Sequence, residues 1–196
     1  MKPSQLLIKK FVYPNQPLNR VLDGWLYQLS NIGYNVQNTH FDFRVDLVRN
    51  REIGDFLDSN FDCLLMIDGD MVPIPETNNI LTMPGDVLYC RHVSQLGKEI
   101  KIEEKGIPTG CIRIHRRVFE KIEEPWFYWN TDDKVRKTNF SEAYYFSKKL
   151  VNNGFKPISA GRIGHRIPLV GIPPTEGHVA TDWHCEHVIM KQMGLS

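Results

Sequence analysis

No stretch of this sequence approaches the ~18 consecutive apolar residues of a membrane helix, so nothing in it reads as a span. Charge of one sign is also missing. The 24 Lys and Arg balance 23 Asp and Glu at a formal +1, which excludes a bulk field for nucleic acid or membrane. Cysteine is sparse: Cys63, Cys90, Cys111 and Cys185 show no close metal-ligand spacing. The first three lie in apolar, strand-like surroundings and read as reduced core thiols. The start, Met1-Lys2-Pro3-Ser4 and then only Leu6-Leu7-Ile8, is too weak for a secretory signal, so a cytoplasmic setting is expected. No internal repeat or low-complexity tract is present. Nor is there a glycine-rich phosphate loop after the first strand candidate, where Pro14-Asn15-Gln16-Pro17 stands instead.

What the chain does have is Cys63-Leu64-Leu65-Met66-Ile67 running straight into Asp68-Gly69-Asp70. Consecutive apolar residues of this kind form a strand buried on both faces of an α/β sheet. Ligands of such sheets collect at the carboxyl ends of the strands, where these two acids lie. Two carboxylates so close repel, and a hard divalent cation is the simplest way to offset that. Pro73 and Pro75 oppose the plain hairpin that Asp-Gly otherwise signals.

At 196 residues the chain is long enough for one full core, or one domain with a tail. Strands are expected over 5–13, 34–39, 63–67, 87–90, 99–103, 111–114 and 156–160. Helices are expected from Pro17 to about Ile32, with Val21, Leu22, Trp25, Leu26 and Leu29 inward, and from Val45 to Leu57, carrying Leu47, Val48, Ile53 and Phe56. Shorter helical pieces open at Pro75 and near Arg117, and Ser141 caps a helix that Gly154 ends. The alternation predicts an α/β domain over 1–166 with a mainly parallel central sheet flanked by helices. Residues 167–196 read as an irregular tail, a lid over the site.

Four pieces in order resemble the GT-A glycosyltransferases, in particular small bacterial and phage-type members related to glycosyltransferase family two. They are Arg49-Asn50, Asp68-Gly69-Asp70, Thr109-Gly110-Cys111-Ile112-Arg113-Ile114-His115 with Pro125-Trp126-Phe127 after it, and Ser141-Glu142 with Gly164-His165. The resemblance implies a Rossmann-like GT-A fold, a nucleotide-sugar donor (a UDP-sugar favoured), manganese or magnesium, and the cytoplasm of a bacterium or phage-infected cell. It carries the metal to Asp70, with Asp68 holding the metal shell or the donor ribose and His165 completing the site. Arg49, Gly110, Trp126 and Arg166 are the further donor-side candidates. Relatives commonly carry Glu-Asp where this chain has Glu142-Ala143, and alanine cannot take a proton. Glu142, or Asp132 or Asp133 of the preceding loop, would be the base; alternatively Ala143 is an engineered replacement.

An inverting transfer to an acceptor hydroxyl is therefore expected, the acceptor being a glycan, a protein, a small molecule or a hydroxymethylated base in phage DNA. The basic stretch Lys98, Lys101, Lys105, Arg113, Arg116, Arg117 and Lys121 would suit DNA, and Trp126 to Trp129 form an aromatic platform for a sugar or base. Beside this stand a nucleotidyltransferase, disfavoured by Pro14 to Pro17, and a disabled nucleotide-sugar or glycan binder, favoured by Ala143. His178, His184, Cys185 and His187 are weaker candidates for contact with the pyrophosphate or a metal.

Overall fold

The computed structural model describes residues 2–13, 16, 18–40, 44–93, 106–129 and 141–166. Among them runs a seven-stranded sheet built from β1 (Leu6–Val12), β2 (Asn35–His40), β3 (Cys63–Asp68), β4 (Met71–Val72), β5 (Val87–Val93), β6 (Cys111–His115) and β7 (Ile158–His165), in spatial order β2-β1-β3-β6-β5-β7-β4. β1, β2, β3, β5 and β7 point the same way, while β6 and β4 run against them. The helices are α1 (Arg20–Asn31), α2 (Val45–Leu57), α3 (Asn79–Thr82), α4 (Arg116–Lys121) and α5 (Glu142–Asn152). The expected α/β class with a mostly parallel central sheet is what forms.

The sheet has a core on each face, and strand alternation sorts residues between them. Leu6, Ile8, Leu65 and Ile67 pack with Leu22, Trp25, Leu26 and Leu29 of α1. Leu7, Phe11, Leu64 and Met66 pack on the other face with Ile53 and Phe56 of α2, Val118 and Phe119 of α4, and Phe146 and Leu150 of α5. α1 starts at Arg20 behind an Asn19 cap rather than at Pro17, because the Asn19 side chain accepts the Leu22 N–H at 3.2 Å.

α2 departs from its expected face. Leu47 is 57% exposed, whereas Asp46, Arg49 and Glu52 are buried alongside Ile53 and Phe56. Spacing of three residues puts these charges on one inward line, and each has a partner there: Arg44 for Asp46, Asp68 for Arg49, and Lys9 for Glu52.

The last strand also differs: it runs to His165, past the expected end at Ala160. Gly161, at φ +136°, sits opposite Cys90 where the β5–β7 register slips, so it marks a bulge inside the strand rather than its end. The strand candidate at 99–103, the tail 167–196 with its histidines and Cys185, and Asp132 and Asp133 lie outside the described residues. Among the described residues no helix is long and apolar enough to cross a membrane.

Candidate active site at the carboxyl end of β3

Sheet register assembles the site. β3 delivers Asp68 beside Phe11 of β1. The chain then turns through Gly69 and Asp70 into β4, whose Met71 pairs with His165 of β7. That pairing sets His165 Nε2 3.2 Å from Asp70 Oδ2, and the Arg166 N–H donates to the Asp70 carbonyl at 3.0 Å. Gly69 is required by close approach. A Cβ there would lie 2.9 Å from the Phe11 carbonyl oxygen, which instead accepts the Gly69 N–H at 2.8 Å.

The buried Asn19 amide fixes the turn from beneath. It donates to the Gly69 carbonyl at 2.9 Å and the Met71 carbonyl at 2.7 Å while its oxygen caps α1. Asn19→Ala strips a helix cap and leaves two buried carbonyls unpaired. A loss of about 2–4 kcal/mol in urea unfolding is expected, with weaker binding at Asp70. A loss under about 1 kcal/mol would mean that the turn holds itself.

The two acids have different partners. Arg49, 1% exposed, reaches both Asp68 oxygens through Nη2 at 2.8 and 3.1 Å, and donates from Nη1 to the Thr109 carbonyl at 3.1 Å. Its guanidinium also lies over the Phe11 and Phe127 rings, at 5.0 and 5.5 Å. Burial pushes the Asp68 carboxyl up to about 6 against the pull of Arg49, with Asp70 and Glu142 adding to the rise. Asp70 keeps a buried Oδ1 with no hydrogen-bond partner, and His165 keeps a buried Nδ1 in the same state.

A carboxylate and an imidazole so placed fit a divalent cation of the manganese or magnesium type. Among the described residues no group of three or more His, Cys, Asp or Glu side chains forms a ready metal cage. Such an ion would therefore draw its remaining ligands from water and substrate oxygens, as magnesium-type sites usually do.

Two residues without any local sequence mark, His92 and Tyr13, adjoin these groups. His92 of β5 lies beside His165, ring centroids 5.0 Å apart, with a buried, unpartnered Nε2. Burial, then His165, pushes His92 down to about 4, so it is neutral at pH 7. Gly110 makes room for it: a Cβ there would meet Cε1 and Nε2 of His92 at 2.9 Å. Gly110 also accepts the Asp68 N–H at 2.8 Å through its carbonyl. Tyr13 is the second addition. Burial and then Asp68 push its hydroxyl well above the usual range. A lone histidine on a strand, or a tyrosine just past one, carries no sequence signal of such a role.

Glu142 opens α5 behind its Ser141 cap. It is buried and accepts from the Thr109 hydroxyl at 3.4 Å. Ala143 follows, half-buried, its carbonyl taking the Ser147 hydroxyl at 2.6 Å. Arg166 lies at the rim and donates to the Leu18 carbonyl at 3.3 Å. Arg162 pairs with Glu76.

Trp126 needs correcting as a platform residue. It is buried, and its indole N–H donates to the Phe119 and Ile122 carbonyls at 3.2 and 2.9 Å. Phe127 is buried as well, which leaves Tyr128 and Trp129 as the exposed rings.

The basic stretch is likewise committed internally. Arg113 donates to the Ile80 and Met83 carbonyls, and Arg116 to those of Phe56, Leu57, Ser59 and Phe61. Arg117 pairs with Asp86, and Lys121 donates to the Asn153 carbonyl. Lys98, Lys101 and Lys105 lie outside the described residues.

No family model matches this sequence, and no curated protein does. Solved structures match in shape. A197 from STIV aligns with a TM-score of 0.55 at 18% identity, over 82% of this chain and 86% of that one. A provisionally named nucleotide-diphospho-sugar transferase from Desulfovibrio desulfuricans G20 aligns at 0.51 and 9% identity, over 96% and 98%. A glycosyltransferase involved in glycosylating the major capsid of PBCV-1 aligns at 0.46 and 14%, over 92% and 98%, too distant in shape to add weight. The likeness is one of fold: this chain shares the Rossmann-like α/β fold of those structures.

Proposed function

We propose that this chain is a metal-dependent, inverting glycosyltransferase that moves a sugar from a nucleotide-sugar, a UDP-sugar by preference, to an acceptor hydroxyl. The observation that carries the reading is the division of labour at the end of β3. Arg49 holds Asp68, while Asp70 and His165 meet through Oδ2 and Nε2 at 3.2 Å and each keeps a second buried polar atom, Oδ1 and Nδ1, without a hydrogen-bond partner. The nucleotide-diphospho-sugar transferase that shares the fold points to the same donor class.

In this reading Asp70 and His165 would hold a manganese or magnesium ion, which would supply positive charge to offset that of the departing nucleoside diphosphate. Asp68, fixed by Arg49, faces the donor ribose, and Arg166 lies near the pyrophosphate. Glu142 takes the acceptor proton as the hydroxyl oxygen attacks the anomeric carbon and the bond to the diphosphate breaks. Its place at the start of α5 keeps the carboxylate oriented without a partner at Ala143.

Product analysis tests the reaction class. Incubated with UDP- and GDP-sugars and Mn2+, the protein should release nucleoside diphosphate. Release of pyrophosphate from a nucleoside triphosphate and a sugar phosphate would instead make it a nucleotidyltransferase. Ala143 favours one second reading, a nucleotide-sugar binder without transfer. That reading requires donor binding with no diphosphate release, and release regained in Ala143→Asp.

A further inference from the structure

We infer that His92 of β5 is a positioning residue for a divalent ion at Asp70 and His165. Its Nε2 accepts from the Nδ1–H of His165 and so holds His165 in the tautomer whose Nε2 is free to ligate. The inference rests on the transferase reading for the ion itself, and deepens it with a residue outside the ligand pair.

Strand register brings the two rings together. β5 and β7 run parallel, with His92 opposite Ile163 and Val93 opposite Gly164. Residues two apart on a strand share a face, so His165 is the diagonal neighbour of His92, one step beyond Ile163. The rings meet with centroids 5.0 Å apart, tilted by 51°. On its other side His165 pairs with Met71, the residue after Asp70. Gly110 of the chain entering β6 leaves room for the His92 ring and little more. A Cβ there would lie 2.9 Å from both Cε1 and Nε2 of His92.

That nitrogen contributes nothing to the fold by itself. Nε2 of His92 is buried with no hydrogen-bond partner among the described residues. A polar atom in that state has lost its water without compensation, a cost that an apolar side chain of similar shape avoids. Nδ1 of His165, on the adjoining ring, is in the same state. One proton shared between the two nitrogens would satisfy both.

The ion requires that same proton. An imidazole nitrogen ligates through its lone pair, so Nε2 of His165 takes a cation only when Nδ1 carries the ring proton. Nδ1–H then needs an acceptor. Asp70 faces the opposite nitrogen, Nε2, at 3.2 Å, and Arg49 holds both oxygens of Asp68. Nε2 of His92 is the acceptor beside it, joined directly after a small ring rotation or through one shared water.

The test is Mn2+ binding by the full chain, read from the EPR signal of the free ion, with and without UDP. Wild type should bind, Asp70→Ala should not, and Tyr27→Ala on the exposed side of α1 should match wild type. His92→Phe keeps a ring and removes the acceptor. It should weaken Mn2+ binding about 10–100-fold, the usual effect of losing such a partner. His92→Gln keeps an acceptor near the place of Nε2 and should restore most of the loss. The ion-free unfolding midpoint of His92→Phe should not fall, because an unsatisfied nitrogen has gone. His92→Leu gives the same reading if the phenylalanine ring fits poorly beside Gly110.

A ring that only fills space gives the reverse order, with His92→Phe near wild type and His92→Gln the poorer. That order, or a loss in both truncations that tracks a lowered ion-free midpoint, would overturn the role of His92 and leave the ion site standing. No Mn2+ binding by wild type, or binding that Asp70→Ala retains in full, removes the metal reading and the role of His92 together.

Discussion

Arg49→Met is expected to cost about 3–5 kcal/mol, because it leaves a buried carboxylate without its counter-charge. In a chain of this length that lowers the unfolding midpoint by roughly 10 °C or more. The effect should depend on pH in a definite direction. Burial already holds Asp68 at about 6 with Arg49 present, and without Arg49 it rises further. The folded variant then keeps a proton that the unfolded chain releases near the ordinary 3.8. Stability therefore falls as pH rises from the unfolded value through the raised folded one, and the deficit against wild type widens as pH rises above about 6, where wild-type Asp68 has lost its proton and the variant's has not. Removing both charges, in Arg49→Met with Asp68→Leu, should recover most of the stability but not nucleotide binding. Urea titrations across pH check this. A deficit that is small or narrows with pH would mean that Arg49 does not hold Asp68 in solution.

Glu142→Gln should lower sugar transfer, or the slower hydrolysis of the donor by water, by about 10²–10⁴-fold, the usual contribution of a general base. Glutamine keeps the shape and still accepts from the Thr109 hydroxyl, so the midpoint and nucleotide affinity should stay near wild type. That split between chemistry and binding separates a base from a residue that merely starts α5. If Glu142→Gln turns over normally, the base lies elsewhere, and Asp132 and Asp133 become the residues to replace.

These two residues also show where the sequence was readable. The five-residue apolar run before Asp68 forces a buried strand with its acids at the carboxyl end, whatever surrounds it. Ser141 before Glu142 is a local cap signal, and the helix starts there. α1 buries the five residues that its period of 3.6 predicts.

α2 was misread because its inward face is charged. Leu47 looks like core but is exposed, and only the tertiary partners Lys9 and Asp68 make it favourable to bury Glu52 and Arg49 on the inward face. β7 was cut short because Gly161 signals a break locally, whereas the neighbouring β5 turns it into a bulge. Trp126 shows the same limit. An aromatic in a loop can anchor or display, and the carbonyls at the end of α4 decide which. His92 was illegible for a further reason: its role comes from β5 lying beside β7, a long-range pairing with no local mark.

Asp70 and His165 are proposed to bind a nucleotide-sugar through a divalent ion. Thermal unfolding with UDP, GDP and their common sugars, with and without Mn2+, tests it most directly on the wild type and Asp70→Ala. At 100 times its dissociation constant a ligand adds ~2.7 kcal/mol, a rise of roughly 5–10 °C here. Such a rise is expected for one nucleotide family, dependent on Mn2+ and absent in Asp70→Ala. No rise with any nucleotide, or a rise that Asp70→Ala retains in full, would contradict it.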